Sequence, residues 1–338
     1  MSTLELTRRQ ALRALPAVLL AGAGTAAGAA DDPSLAAAEC VIPAKAGGGF
    51  DLTCALARDG LQVVRPSRPP LGQRFLPGGI GAVAFDRIAT GRMGGPAILV
   101  AFSSGSLLNI AQGRFGPHSP SAARWIAALG TDYGVIAVHR DSPYRSLQDL
   151  MAVLRQEPSK VVFGAGGTVG SQDWVKAALL LRAAGRDHKS MRFVSFEGGG
   201  DALSALQGKH VDVFPGDAAE ALQAIAGGAA VRILAVLSDA ALGGGLAGIP
   251  TARAQKVDLA WPTVRGVYMS ADVAEAAARG WIDAFAEAMA APGYPALRER
   301  HRLYPFSLTG AALEDHVMAS LARYKDVAAD LGLRRWGR

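Results

Sequence analysis

Residues 39–51 read Glu39-Cys-Val-Ile-Pro-Ala-Lys-Ala-Gly47-Gly48-Gly49-Phe50-Asp51. Cys40, Val41 and Ile42 form a short apolar run suited to a strand buried on both faces. Pro43 ends it, three glycines follow, and the pattern from Phe50 onward becomes helical. This is one strand–loop–helix unit, and the same punctuation recurs. Gly164–Ser171 follows an expected strand at Lys160–Phe163, Glu197–Asp201 follows Arg192–Phe196, and Pro215–Asp217 follows Val211–Phe214. Further strands are expected at Ala97–Phe102, Val135–His139, Arg232–Leu237 and Gly266–Met269. Ser146 is placed to cap a helix over Leu147–Gln156, which Pro158 stops. Short apolar strands alternating with helices predict an α/β fold of mostly parallel sheets covered by helices.

The 338 residues exceed one ordinary core, and no linker or tandem repeat divides them. Two domains without a linker imply that the chain crosses between them on ordered segments. Val135–His139 and Arg232–Leu237 are placed to be those crossings. The expected division is 38–137 plus 238–338 for one lobe, with 138–237 inserted as the second. Residues 1–30 have a basic start (Arg8, Arg9, Arg13), a short apolar stretch and an Ala27-Gly28-Ala29 ending. They read as a twin-arginine-like export signal, and the mature chain as periplasmic. An oxidising compartment permits a Cys40–Cys54 bond. With one cysteine on a strand and the other in the first helical turn, two buried thiols are the favoured reading over a disulfide.

The formal charge of +6 is spread along the chain, so no nucleic-acid footprint is present. The phosphate-loop, nucleophile-elbow and zinc-helix motifs are missing, and six scattered histidines show no ligand spacing, so neither a metal nor a cofactor is expected. Gly79-Ile-Gly81-Ala-Val-Ala84 has the letters of a dinucleotide loop, but the next strand ends in Ser103-Ser104 where that site needs an acid. The glycine loops carry the chemistry instead. A helix N-terminus exposes unpaired N–H groups and a partial positive charge, and glycine lets a ligand approach them closely. Exported α/β architecture with anion-cradling loops and no catalytic set reads as a binding protein.

The motifs Gly47-Gly48-Gly49-Phe50-Asp51, Leu76-Pro77-Gly78-Gly79-Ile-Gly81, Trp125–Val138, Val194–Leu203, Val211–Asp217 and Val231–Ser238 occur in an order and spacing that resembles the TctC (Bug) solute receptors of tripartite tricarboxylate transporters. The resemblance covers about residues 38–325. It implies a two-lobed type II periplasmic-binding-protein fold, a Venus flytrap closing on a carboxylate, with a membrane permease as partner and a monomeric receptor. Transferred by motif, the ligand-binding residues are Gly48, Gly49, Phe50 and Asp51 in the first loop, Ser103 and Ser104 at a strand end, Thr168, Val169, Gly170 and Ser171 in the second loop, and Asp217. Ala55, Trp174 and Leu76 depart from the Arg, His and Asn common at those places, which leaves the ligand open among tricarboxylates, dicarboxylates and related acids.

Read from the residues alone, Asp51 is best a helix cap, and Asp217 with Glu220 a capping box. Phe50 is read as an apolar pocket wall, Ser103 and Ser104 as hydroxyl donors, and Lys45 as a solvated surface amine. The competing classes are an exported enzyme acting on a small acid through Ser103, Ser104 or Ser171, and a receptor-like protein used in signalling.

Overall fold

The computed structural model describes residues 38–333, so the export signal expected at 1–30 lies outside the described residues. β1 (Glu39–Ile42) leads through the first glycine loop into α1 (Gly49–Val64). β2 (Gly72–Phe75), α2 (Ala82–Ala89), β3 (Ile98–Ser103) and α3 (Ser104–Ala111) follow, and then β4 (Ala123–His139). The middle of the chain holds α4 (Leu147–Gln156), β5 (Val162–Gly166), α5 (Gln172–Ala183), β6 (Arg192–Phe196) and α6 (Gly199–Gln207). After it come β7 (Val213–Phe214), α7 (Ala218–Ala226) and β8 (Val231–Leu237). β9 (Pro262–Ser270), α8 (Glu275–Ala290), α9 (Tyr294–Arg300), β10 (Leu308–Thr309) and α10 (Gly310–Asp330) complete the order. No helix among the described residues is long and apolar enough to cross a membrane.

The strands pair in the order β2-β1-β3-β9-β4-β7-β5-β6, with β8 and β10 also paired to β4. Parallel pairing lies at the two ends: β1 with β2 and β3, and β5 with β6 and β7. Every pairing of β4 or β9 is antiparallel. β4 is the spine of this array. It pairs with β9 over Ala123–Tyr133 and with β8 over Gly134–His139. The strand expected from sequence covers only Val135–His139, and Gly130-Thr-Asp-Tyr-Gly134 lies just before it. In the fold those residues stay extended, since Asp132 is neutralised by Arg265 on the neighbouring strand instead of by water.

Local sequence explains the helix starts. Ser146 Oγ accepts from the Asp149 N–H, and the Asp149 carboxylate in turn accepts from the Ser146 N–H. Ser103 and Ser106 make the corresponding box on α3, and Ser171 caps α5. Such caps are worth about 1 kcal/mol each. Gly164 and Gly166, expected in a loop, belong to β5. A Cβ on Gly164 would stand 2.8 Å from Val211, so this glycine allows close packing rather than a turn.

Cys40 and Cys54 are disulfide-bonded, which corrects the expectation of two thiols. The loop after β1 folds α1 directly back onto its own strand. The second turn of that helix then brings Cys54 within 5.6 Å of Cys40, Cα to Cα. Both side chains are fully buried, in a core with Ile42, Leu56, Ile126 and Phe285.

Candidate functional site

Two loops converge on one hollow of about 340 Å³. The loop after β1 contributes Ala44 to Phe50, and the loop after β6 contributes Glu197 to Asp201. Ser103, Ser171, Asp217 and Arg265 also line it. A second hollow of about 410 Å³ adjoins the first, sharing Ile80, Asn109, Ser171 and Glu197, and is walled further by Arg114, Gly167 and Thr168.

Of the residues expected from sequence, Gly48, Gly49, Phe50, Ser103, Ser171 and Asp217 line the first hollow, and Thr168 with Ser171 the second. Asp51, Ser104, Val169 and Gly170 line neither. Asp51 turns back to accept the Gly47 N–H at 2.9 Å. Ser104 Oγ accepts from the Val264 N–H. The Val169 side chain is exposed, and Gly170, with φ +86°, lies under Gln112, whose amide donates to its carbonyl. Lys45 is largely exposed, as expected, and forms an ion pair with Asp201 at 3.2 Å.

The floor of the first hollow is a buried ionic cluster that sequence reading missed. Arg265 on β9 donates to Asp132 at 2.8 Å and to Asp217 at 2.9 Å. Lys176 on α5, fully buried, reaches Asp217 at 2.8 Å and Asp173 at 3.0 Å, and donates to the Gly216 carbonyl. Asp217 is therefore not the side-chain cap expected of it. It starts α7 but spends its carboxylate on Lys176, Arg265 and Gln172. The anion at the α7 N-terminus is instead Asp132, whose Oδ1 accepts from the Ala219 N–H at 3.1 Å. The signal available in the sequence was the charge carried by Asp132, Lys176 and Arg265 within otherwise apolar strands and helices.

Burial drives the carboxyl groups of this cluster up, and the two cations decide which stay low. Lys176 and Arg265 outweigh burial at Asp217 and hold its pKa below the usual range. Asp132 and Asp173, each mainly desolvated and with Asp217 as a near neighbour, are raised. Glu220, desolvated and facing Asp217, is pushed up to about 8. Its Oε1 accepts from the Gly49 N–H at 2.6 Å, and its Oε2 packs where a Cβ on Gly199 would stand. Glu220 thus joins the first glycine loop to the third.

This geometry changes what the glycine loops offer. The Gly47, Gly49 and Gly166 N–H groups, of which sequence reading assigns Gly49 to the ligand, donate instead to the protein's own Asp51, Glu220 and Asp173 carboxyl groups. Gly49 is glycine for a packing reason, because a Cβ there would lie 1.9 Å from Arg265 Nη1. Among the described residues, no group of three or more His, Cys, Asp or Glu side chains is placed to hold a metal ion.

The family model described as "Tripartite tricarboxylate transporter family receptor" matches residues 77–333. The chain belongs to that family. Solved structures agree in fold with this receptor. A TctC solute-binding protein from Polaromonas is 21% identical, with TM-score 0.61, covering 87% of this chain and 98% of its own. MatC from Rhodopseudomonas palustris, solved with malate, is 18% identical with TM-score 0.72, covering 86% and 98%. An R. palustris protein solved with adipate is 17% identical with TM-score 0.76, covering 88% and 97%. At these identities the likeness is one of fold. No curated protein matches the receptor in sequence.

Proposed function

We propose that this receptor captures a small organic acid between two lobes, 38–137 with 238–338 and 138–237, and presents it to a tripartite membrane permease. On this reading the mature chain works in the periplasm as a monomer and performs no catalysis. The observation that carries the reading is the convergence of the loop after β1 and the loop after β6 on a single hollow. They come from opposite ends of the strand order, with the long strand β4 between them. A solute bridging both loops stabilises the closed form by no more than its preference for that form. The malate and adipate held by the two R. palustris proteins favour acids as the class.

The three serines considered as nucleophiles support binding over catalysis. Ser103 and Ser171 oxygens accept from the first turns of α3 and α5, and Ser104 accepts from β9. A thermal-shift screen of the purified protein against about forty organic acids tests the proposal, since a ligand at 100 times its Kd adds roughly 2.7 kcal/mol. Saturable stabilisation without turnover is the expected result. Turnover of any acid, abolished by a Ser→Ala change at 103, 104 or 171, overturns it.

A further inference from the structure

The two hollows differ in charge, and that difference defines the solute more narrowly than "acid". In the first hollow the carboxyl groups outnumber the cations. Glu197, Asp201, Glu220, Asp217 and Asp173 line it, against Lys45 and Arg265. Neither cation is free. Arg265 is divided between Asp132 and Asp217, and Lys45 is tied to Asp201 at the exposed edge. The loop amides at Gly47, Gly49 and Gly166 are occupied by internal carboxyl groups. A carboxylate entering this space meets like charge and no unpaired cation, which is unfavourable in a site of reduced dielectric and is opposed only by the partial positive charge at the uncapped start of α6. A hydrogen-bond donor meets acceptors in surplus, and Gln172 Oε1, buried in its wall, has no partner.

The second hollow is balanced rather than acidic: its one carboxylate, Glu197, is shared with the first, and it adds the cation Arg114. The Arg114 guanidinium donates to the Val169 carbonyl and the Thr168 hydroxyl, and no carboxylate pairs with it among the described residues. Burial alone acts on it, lowering its pKa. Between the hollows stands Asn109, only 6% exposed, lining both. Its side-chain amide makes no protein hydrogen bond among the described residues and opens on the hollows, although the residue as a whole is buried. An unpartnered amide facing both the acidic hollow and the one that holds Arg114 is a contact waiting for a ligand.

We propose that the solute is an amino acid in the broad sense, a small zwitterion whose ammonium group enters the first hollow beside Glu220 and whose carboxylate meets Arg114, with the Asn109 amide bonding between them. This rests on the reading of the protein as a receptor for small acids and narrows it. Arrival of an ammonium beside Glu220 favours its ionised form, so binding releases a proton at neutral pH. The groups that set this balance are Asp217 at the start of α7, Asp173 and Lys176 on α5, Asp132 on β4, Arg265 on β9 and the Gly49 N–H.

Calorimetry with the wild-type protein on chain-matched probes decides the matter. The pairs are 4-aminobutyrate with succinate, 5-aminopentanoate with glutarate, 6-aminohexanoate with adipate, and glutamate with glutarate, with 1,5-diaminopentane as the purely cationic control. The expected result is that at least one amino acid binds ten times or more tightly than its paired dicarboxylate, with proton release seen as a dependence of the heat on buffer. Glu220→Gln should shrink that ratio at least tenfold, with folding checked by circular dichroism. Dicarboxylates binding as tightly as their partners overturn the zwitterion assignment and leave the acid receptor standing. Binding of the diamine alone, or saturation by none of the probes, overturns both.

Discussion

Replacing Glu220 by Gln should make the protein more stable in alkali and change little in acid. Gln keeps an acceptor for the Gly49 N–H while removing the ionisable group. In the folded protein Glu220 titrates at about 8, against an ordinary 4.5, so between those values the folded state holds a proton that the unfolded chain releases. Stability contributed by that proton is complete below about pH 4.5 and is lost as pH rises through 8. At ~1.4 kcal/mol per pH unit the full difference is roughly 5 kcal/mol. Glu220 opens on the hollow, where water screens its charge, so about half, ~2–3 kcal/mol, is a fair expectation. Urea unfolding of both proteins from pH 5 to pH 8.5 measures it directly. The free-energy difference, variant minus wild type, should start near zero and climb in favour of Gln by ~2–3 kcal/mol. Parallel pH profiles would refute the reasoning, because the remaining acids are common to both proteins and cancel in the difference.

Two further perturbations probe the first loop and its surroundings. Cutting the Cys40–Cys54 bridge, by reduction or by Cys54→Ser, opens a loop with a sequence separation of 14 and should cost about 3 kcal/mol; an unchanged denaturant midpoint with and without reductant contradicts this. Gly49→Ala places its Cβ against the Arg265 guanidinium and should cost roughly 3–5 kcal/mol by displacing it from Asp132 and Asp217. The matching change at Gly280, exposed on α8 with open space around it, should instead stabilise by about 1 kcal/mol. Equal melting temperatures for the two alanine variants would show that the close approach at Gly49 carries no weight.

The amino-acid sequence discloses what local physics determines. Strand β1, the glycine loop, the capped helix α4 and the strand β8 are each written in a few adjacent residues, and the family motifs supply their order. What it hides depends on partners distant in the chain. β4 carries Gly130 and Asp132, and Arg265, 133 positions away, together with the Tyr133 and Ala219 N–H groups makes a buried aspartate tolerable there. The disulfide depended on the tightness of the first turn, which spacing alone does not fix. Asp217 looked like a cap because Glu220 follows at capping distance, yet both side chains point at groups from other elements. The loops themselves were legible. That the Gly49 and Gly166 amides are satisfied internally was not, since those partners are Glu220, 171 positions from Gly49, and Asp173, seven from Gly166.

The close fit around Glu220 also limits how such a protein can diversify. Positions 49 and 199 have no room for even a methyl group while Arg265 and Glu220 keep their places, since the added atom would fall 1.9 Å from one and 1.8 Å from the other. A lineage retaining those two buried charges cannot retune its selectivity by decorating the tips of these loops. Divergence would have to run through the remaining wall, at Asn109, Glu197, Ser204 and Arg114, where exchanges leave the ionic floor undisturbed.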